Sequence, residues 1–306
     1  MDKYDALEKL KKYSQELNKI SYDEIYNLLK NGIKKIPLPE AKLSKGAFID
    51  RVRKNNDNEL FTHINDLGYI KDPKIIDKCL NSFGRANCPH QVMFYGAIET
   101  TLIDKQRATA IFETSNLFRH NLDSTTGEYY TVSRWKSVEE ITLVEVVFSE
   151  YSCNNNPDIK HSYNKQIEFL QKLNLSEEDE QFFIDFLKFI SDEFSKKVNI
   201  GEDYNYKISA AYTNLVLENP NIQGIIYPSV QTASQGVNIV LPPKIVDDYL
   251  TPTICSTQIV YKKGKKTLIA NGEYYCDTIN IKENIIWKKT DPKFLSTQEQ
   301  INEFFK

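Results

Sequence analysis

The chain has little of what marks a secreted, metal-bound or nucleic-acid-bound protein. Its five cysteines, Cys79, Cys88, Cys153, Cys255 and Cys276, are scattered and odd in number, with no Cys-x-x-Cys pair. They read as reduced thiols in a reducing compartment, not as a disulfide framework. The four histidines (His63, His90, His120, His161) are equally dispersed, and no His-Glu-x-x-His or comparable pattern occurs, so no metal is expected. Positive charge is not in excess: 39 Lys and Arg stand against 42 Asp and Glu, a formal net charge of -3. That leaves no global basic footprint, and nucleic acid is not an expected partner. The lysines around Gly264 read as a solvated hairpin turn. No apolar run approaches the ~20 residues that cross a bilayer, so no membrane association is expected. Residues 1–15 are charged at helical spacing and lack the apolar centre of a signal peptide, which makes the cytoplasm the expected location.

What is present fits a soluble globular chain of 306 residues, 41% of them hydrophobic and 26% charged. Leu7, Leu10, Tyr13 and Leu17 recur at spacings of three and four, predicting helix over 2–32. Ser21 and Glu24 form a capping-box signature that opens a second helix through Leu29. Gly32, Pro37 and Pro39 end that pattern, and the segment to Gly46 reads as extended linker. This N-terminal helical extension, 1–46, reads as a packing or dimerisation arm, so a homo-oligomer is one expectation. From Phe48 to Arg53 the alternation predicts a strand with Arg51 and Arg53 on one face. A solvated edge is the plain reading of that pair; a phosphate clamp is the sharper one.

Further along, helix is expected over 73–81 and hairpin strands over 128–134 and 141–148, parted by a polar loop at 121–128. A loop is expected at 154–158, and helices over 162–173, 176–196 and 206–219. Gly224 to Ser229 reads as a buried strand stopped by Pro228, and Val237 to Leu241 as a second, with a polar loop between them. The tail, 251–306, reads as β-hairpins around Lys263-Gly264 and Asn271-Gly272, followed by a short helix after Ser296. Strands and helices interleave throughout, which predicts an α+β fold.

The chemistry concentrates first between Ser82 and Glu113. Gly84-Arg85-Ala86-Asn87 lets backbone amides and a guanidinium converge on one anion. The apolar run to Tyr95 is expected to break at Gly96-Ala97, and a helix then ends in Glu113, a carboxylate set among apolar neighbours. Glu99 is a rival for the role of that carboxylate. Ser229 and Asn238 sit at strand edges facing one loop, where a hydroxyl either satisfies a turn or meets a ligand.

Taken in order, Arg51-Val-Arg53, Gly84-Arg85-Ala-Asn87, Tyr95, Glu113, Tyr227-Pro-Ser229 and Asn238 resemble the RES-domain family over roughly Phe48 to Leu241. Gly-Arg-Ala-Asn and the Gly-Ile-Ile-Tyr-Pro-Ser-Val-Gln stretch are its most specific pieces. The resemblance implies a mixed-sheet core like that of diphtheria-toxin-type ADP-ribosyltransferases, placed here at 47–250, with 251–306 packing on the same domain. It implies NAD as substrate, cleaved at the nicotinamide–ribose bond with water or phosphate. It also implies a toxin or defence role in which a separately encoded antitoxin is a possible partner. By the same matching, Arg51, Tyr95 and Glu113 are the catalytic candidates. Arg51, Arg85, Asn87, Tyr95, Ser229 and Asn238 are the NAD-binding candidates. Transfer of ADP-ribose to a macromolecule, and a non-catalytic binding protein, are the competing expectations.

Overall fold

The computed structural model describes residues 1–56, 59–280 and 284–306. Its strands in chain order are β1 (Glu40–Leu43), β2 (Phe48–Lys54), β3 (Phe94–Ile98), β4 (Ser124–Ser137) and β5 (Ile141–Glu145), then β6 (Gly224–Pro228), β7 (Val237–Leu241), β8 (Leu250–Lys263), β9 (Lys266–Cys276) and β10 (Lys288–Lys289). The described strands form one ten-stranded sheet in the order β1-β5-β6-β7-β3-β2-β4-β8-β9-β10. Only β5 and β6 run parallel; the other neighbouring pairs are antiparallel. The helices are α1 (Lys3–Tyr13), α2 (Tyr22–Asn27), α3 (Pro73–Cys79), α4 (Gln106–Thr114), α5 (Asn116–Arg119), α6 (Glu150–Asn155), α7 (Pro157–Lys172), α8 (Glu177–Ser195), α9 (Lys207–Val216), α10 (Pro243–Tyr249) and α11 (Gln298–Phe304). The class is α+β, as the alternation of patterns predicts.

Several local expectations need correction. The Ser21–Glu24 capping box opens a second helix, α2, as expected, but helix does not fill 2–32: Ser14 caps α1, and the chain turns before that box. The break lets Leu17 enter the core and frees the Leu17 and Ile20 carbonyls to accept from Lys207 Nζ at 2.9 and 2.7 Å. A π-helical turn, Leu28–Ile33, completes the segment. The expected linker contains β1, an edge strand paired with β5. Tertiary pairing decides that segment, whose sequence carries no strand signal of its own.

Nor does the chain break at Gly96-Ala97. β3 continues through both residues, because β7 supplies ladder partners on one side and Asp50 pairs with Ala97 on the other. The segment 121–128 is largely strand: β4 starts at Ser124 and pairs with β2 and β8, so it makes no hairpin with β5. Residues 154–158 are a helix junction in which Asn156 caps α7 with Pro157 in its first turn. Asn271-Gly272 is a bulge inside β9, where residues 272–274 stand opposite Thr257 alone. The turn expected around Gly264 is present between β8 and β9. The part of the expected hairpin tail at 281–283 lies outside the described residues.

One core cluster joins Leu7 and Leu10 of α1 and Ile25 of α2 to Phe186 and Phe194 of α8, Tyr212 of α9 and Val144, Ile225 and Val240 of the sheet. A second, with Ile49, Phe94, Trp135, Ile239 and Leu241, fills the opposite face. A third packs Ala110 and Ile111 of α4 against Val52 and Ala97. Burial of this apolar area is the main driving force for the fold. Among the described residues, no helix is long and apolar enough to cross a membrane.

Candidate active site

Register alone brings part of the site together. Asn238 on β7 pairs with Ala97 of β3 and Tyr227 of β6, and Tyr95 pairs with Val240. Directly paired residues and those two apart share a face. Tyr95, Asn238 and Tyr227 therefore line one side of the sheet, the side on which α4 packs beside Val52 and Ala97.

The turn from β6 to β7 is tightly held. Ser229 N donates to the Gly236 carbonyl and Ser234 N to the Ser229 carbonyl, each at 2.8 Å. Asn156, nearly inaccessible, donates through Nδ2 to the carbonyls of Ser234 (2.9 Å) and Gln235 (3.0 Å). A Cβ on Gly236 would sit 2.2 Å from Thr109 Oγ1, so α4 rests directly on this turn only because position 236 has no side chain.

That contact delivers Glu113, in the last turn of α4, to the strand ends. Its Oε1 accepts from Ser229 Oγ at 2.6 Å, Asn238 Nδ2 at 3.2 Å and Gln231 N at 3.4 Å. Its Oε2 takes no hydrogen bond among the described residues. A carboxylate fixed by one oxygen leaves the other available to a ligand. Glu99, the rival, is exposed beyond the end of β3. Its charge acts on Arg134, which pairs with Asp50.

A second knot forms around Arg85. Its Nη1 donates to the Phe194 carbonyl and its Nη2 to the Lys196 carbonyl at 3.0 Å, both at the C-terminal end of α8. The guanidinium carbon lies 4.9 Å from the Tyr206 ring centroid. Tyr95 donates its hydroxyl to Asn87 Oδ1 (2.6 Å) and accepts from Ala86 N (3.1 Å). Gly84 makes room for this, since a Cβ there would meet Asn87 Oδ1 at 2.2 Å. Burial pushes the Tyr95 phenol well above its ordinary range, while the Arg85 and Arg51 charges pull it down.

Arg51 stands at the edge of this group. Asp50, not Arg51, shares the face of Ala97, because β2 pairs with β3 at that one position. Past it the strands part, and Arg51 Nη1 fills the seam by donating to the Tyr95 carbonyl at 2.7 Å. The guanidinium lies 4.9 Å from the Phe94 ring centroid, and its buried Nε has no partner. Burial, with the Arg53 charge adding to it, pushes Arg51 down to about 9. It is still a cation at neutral pH.

Glu113, Ser229 and Asn238 are thus joined by direct hydrogen bonds, and Asn87 and Tyr95 likewise. Arg85 joins them through the charge field on Tyr227 and Tyr95, and Arg51 through the Tyr95 carbonyl. The Tyr227 phenol ties the two knots. Burial raises it, the Tyr95 phenol and the Glu113 carboxylate add to that, and the Arg85 guanidinium opposes them. Neither arginine has a carboxylate partner among the described residues. A buried cation without counter-charge is costly, and an anionic ligand would relieve Arg85.

Tyr206, Tyr227 and Asn156 are absent from the sequence-derived set of site residues. Tyr227 carried a signal, since it precedes the strand-ending Pro228-Ser229 on the face of Asn238. Asn156 was masked by an asparagine run that reads as a turn. Among the described residues, no group of three His, Cys, Asp or Glu is placed to hold a metal ion. No protein-family model matches the chain, and no curated protein matches it either.

Proposed function

We propose that the protein degrades NAD by cleaving its nicotinamide–ribose bond. The observation that carries this reading is a half-free carboxylate, Glu113, beside a buried guanidinium without counter-charge, Arg85, with half-buried Arg51 at the adjoining seam as a second cation. A dinucleotide presents both complements, a diphosphate for cations and a ribose for the carboxylate. The resemblance of the Gly84-Arg85-Ala86-Asn87 and Gly224–Gln231 motifs to RES domains supports the same substrate.

In this reading Arg85 and Arg51 bind diphosphate oxygens through charge-assisted hydrogen bonds. The bond from the ribose anomeric carbon to the nicotinamide nitrogen breaks, and its electron pair leaves with nicotinamide. Positive charge then builds on the ribose, as it does in glycoside hydrolysis. Glu113 stabilises that charge, and because Ser229, Asn238 and the Gln231 amide already hold it, little reorganisation is needed. Water adds its oxygen to the anomeric carbon and releases a proton, giving ADP-ribose; phosphate in its place would give the ribose phosphate ester. A cell carrying this activity would need a restraint on it, for which a separately encoded neutralising protein is the expected partner.

The test is incubation of the protein with NAD, with and without phosphate, followed by chromatography of the products. Free nicotinamide with ADP-ribose or its phosphate is the expected outcome. Intact NAD at high protein concentration would overturn the proposal.

A further inference from the structure

Tyr227 stands at the centre of the site. It lies opposite Asn238 in the β6–β7 ladder and two residues before Ser229, the two side chains that donate to Glu113. On its other side its ring centroid is 5.2 Å from that of Phe194, whose carbonyl accepts from Arg85. The phenol therefore sits between the holders of the carboxylate and the holder of the guanidinium.

Its hydroxyl is idle. Tyr227 is only 5% exposed, yet among the described residues nothing hydrogen-bonds its hydroxyl. The neighbouring Tyr95 hydroxyl, by contrast, is committed to Asn87 and Ala86. The Tyr227 hydroxyl is not among the buried side-chain atoms that lack a partner, so the ring is buried while its tip opens on accessible space where a ligand atom can reach it. A tyrosine here is explained when a ligand completes its hydrogen bond.

We propose that Tyr227 is a substrate-binding residue whose hydroxyl donates a hydrogen bond to the nicotinamide-side ribose, between the diphosphate at Arg85 and the reacting carbon at Glu113. This rests on the reading of the site as an NAD site. It adds a specificity element: the site recognises the second ribose, and not the diphosphate alone.

The experiment compares wild type with Tyr227→Phe by calorimetric titration with ADP-ribose and with ADP, which lacks that ribose, and by thermal melting without ligand. The variant is expected to bind ADP-ribose ~10-fold or more weakly, the loss of one well-placed hydrogen bond. Its ADP affinity and its melting temperature should be unchanged from wild type. Unchanged ADP-ribose affinity overturns the role of Tyr227 and leaves the site reading intact. A lowered melting temperature with weaker binding of both ligands marks a structural role and also overturns it. If wild type binds neither ligand, the NAD reading itself falls.

Discussion

Ser229 Oγ donates to Glu113 Oε1 across 2.6 Å, linking a strand end to the last turn of a helix 116 residues away in sequence. The bond holds the carboxylate before any ligand arrives. Replacing Glu113 with Gln keeps the shape and removes the charge, so nicotinamide release should fall roughly 10²–10³-fold, the scale of a preorganised transition-state contact. Ser229→Ala should cost less, about tenfold, since Asn238 and the Gln231 amide still hold the carboxylate. Full turnover in Glu113→Gln together with loss in Glu99→Gln would move the acid to the wrong side of our assignment.

Arg51 offers a separate test, because its charge is a burden until an anion is bound. Arg51→Met should raise the unfolding free energy of the free protein by roughly 1 kcal/mol. The same change should weaken ADP-ribose about tenfold or more. Since burial pushes Arg51 down to about 9, anion affinity should also decline as pH rises past that value, and the Met variant should lack the decline. Urea unfolding and calorimetry at pH 7 and pH 10 give both readouts.

Asp50 and Arg134 form a bidentate pair, with Arg134 Nε to Oδ1 at 2.7 Å and Nη2 to Oδ2 at 2.8 Å. Asp50 is 1% exposed. Arg134→Met would strand that carboxylate and cost about 3–5 kcal/mol. The double variant Asp50→Leu with Arg134→Met should recover most of the loss, which a double-mutant cycle would quantify. Equal stability of the single and double variants would count against the pair.

Stability should also carry a signature of Glu145, at the end of β5. Desolvation raises its affinity for a proton, against hydrogen bonds from Gln166 and Ser162 and the charge of Lys165. The folded protein therefore holds this proton more tightly than the unfolded chain does. Its contribution to stability is full below the ordinary value of 4.5 and is lost as pH rises through the raised one. Glu145→Gln should flatten that decline, making the variant gain on wild type from pH 4 toward neutrality. Parallel stability curves would contradict it.

Much of the site was legible because its pieces lie where local chemistry speaks loudly. Proline at 228 had to stop a strand, so the serine after it had to face a loop, and the structure agrees. The capping serine at 176 and the acidic turn behind it fixed the start of α8 in the same way. Partner strands were the part that could not be read. Nothing local says that Gly96-Ala97 lies between β2 and β7, or that the residues before Gly46 find an edge at β5. The asparagines near 156 have turn propensity, yet one caps a helix and clamps the β6–β7 turn from a distance. Arg51 shows the limit of alternation: it assigns Arg51 and Arg53 to one face, but not the seam into which Arg51 turns.

The anchoring of Arg85 reaches back to the start of the chain. Lys196, whose carbonyl holds Arg85 Nη2, reaches through Nζ to Ser14 Oγ at 2.7 Å and to Glu193, which also receives Ser14's own hydroxyl. The segment that opens the chain is thus a brace for the carbonyl that holds Arg85, and not a removable handle. Trimming the first twenty residues would slacken a cation far away in sequence and uncover the core that Leu7, Leu10 and Leu17 close.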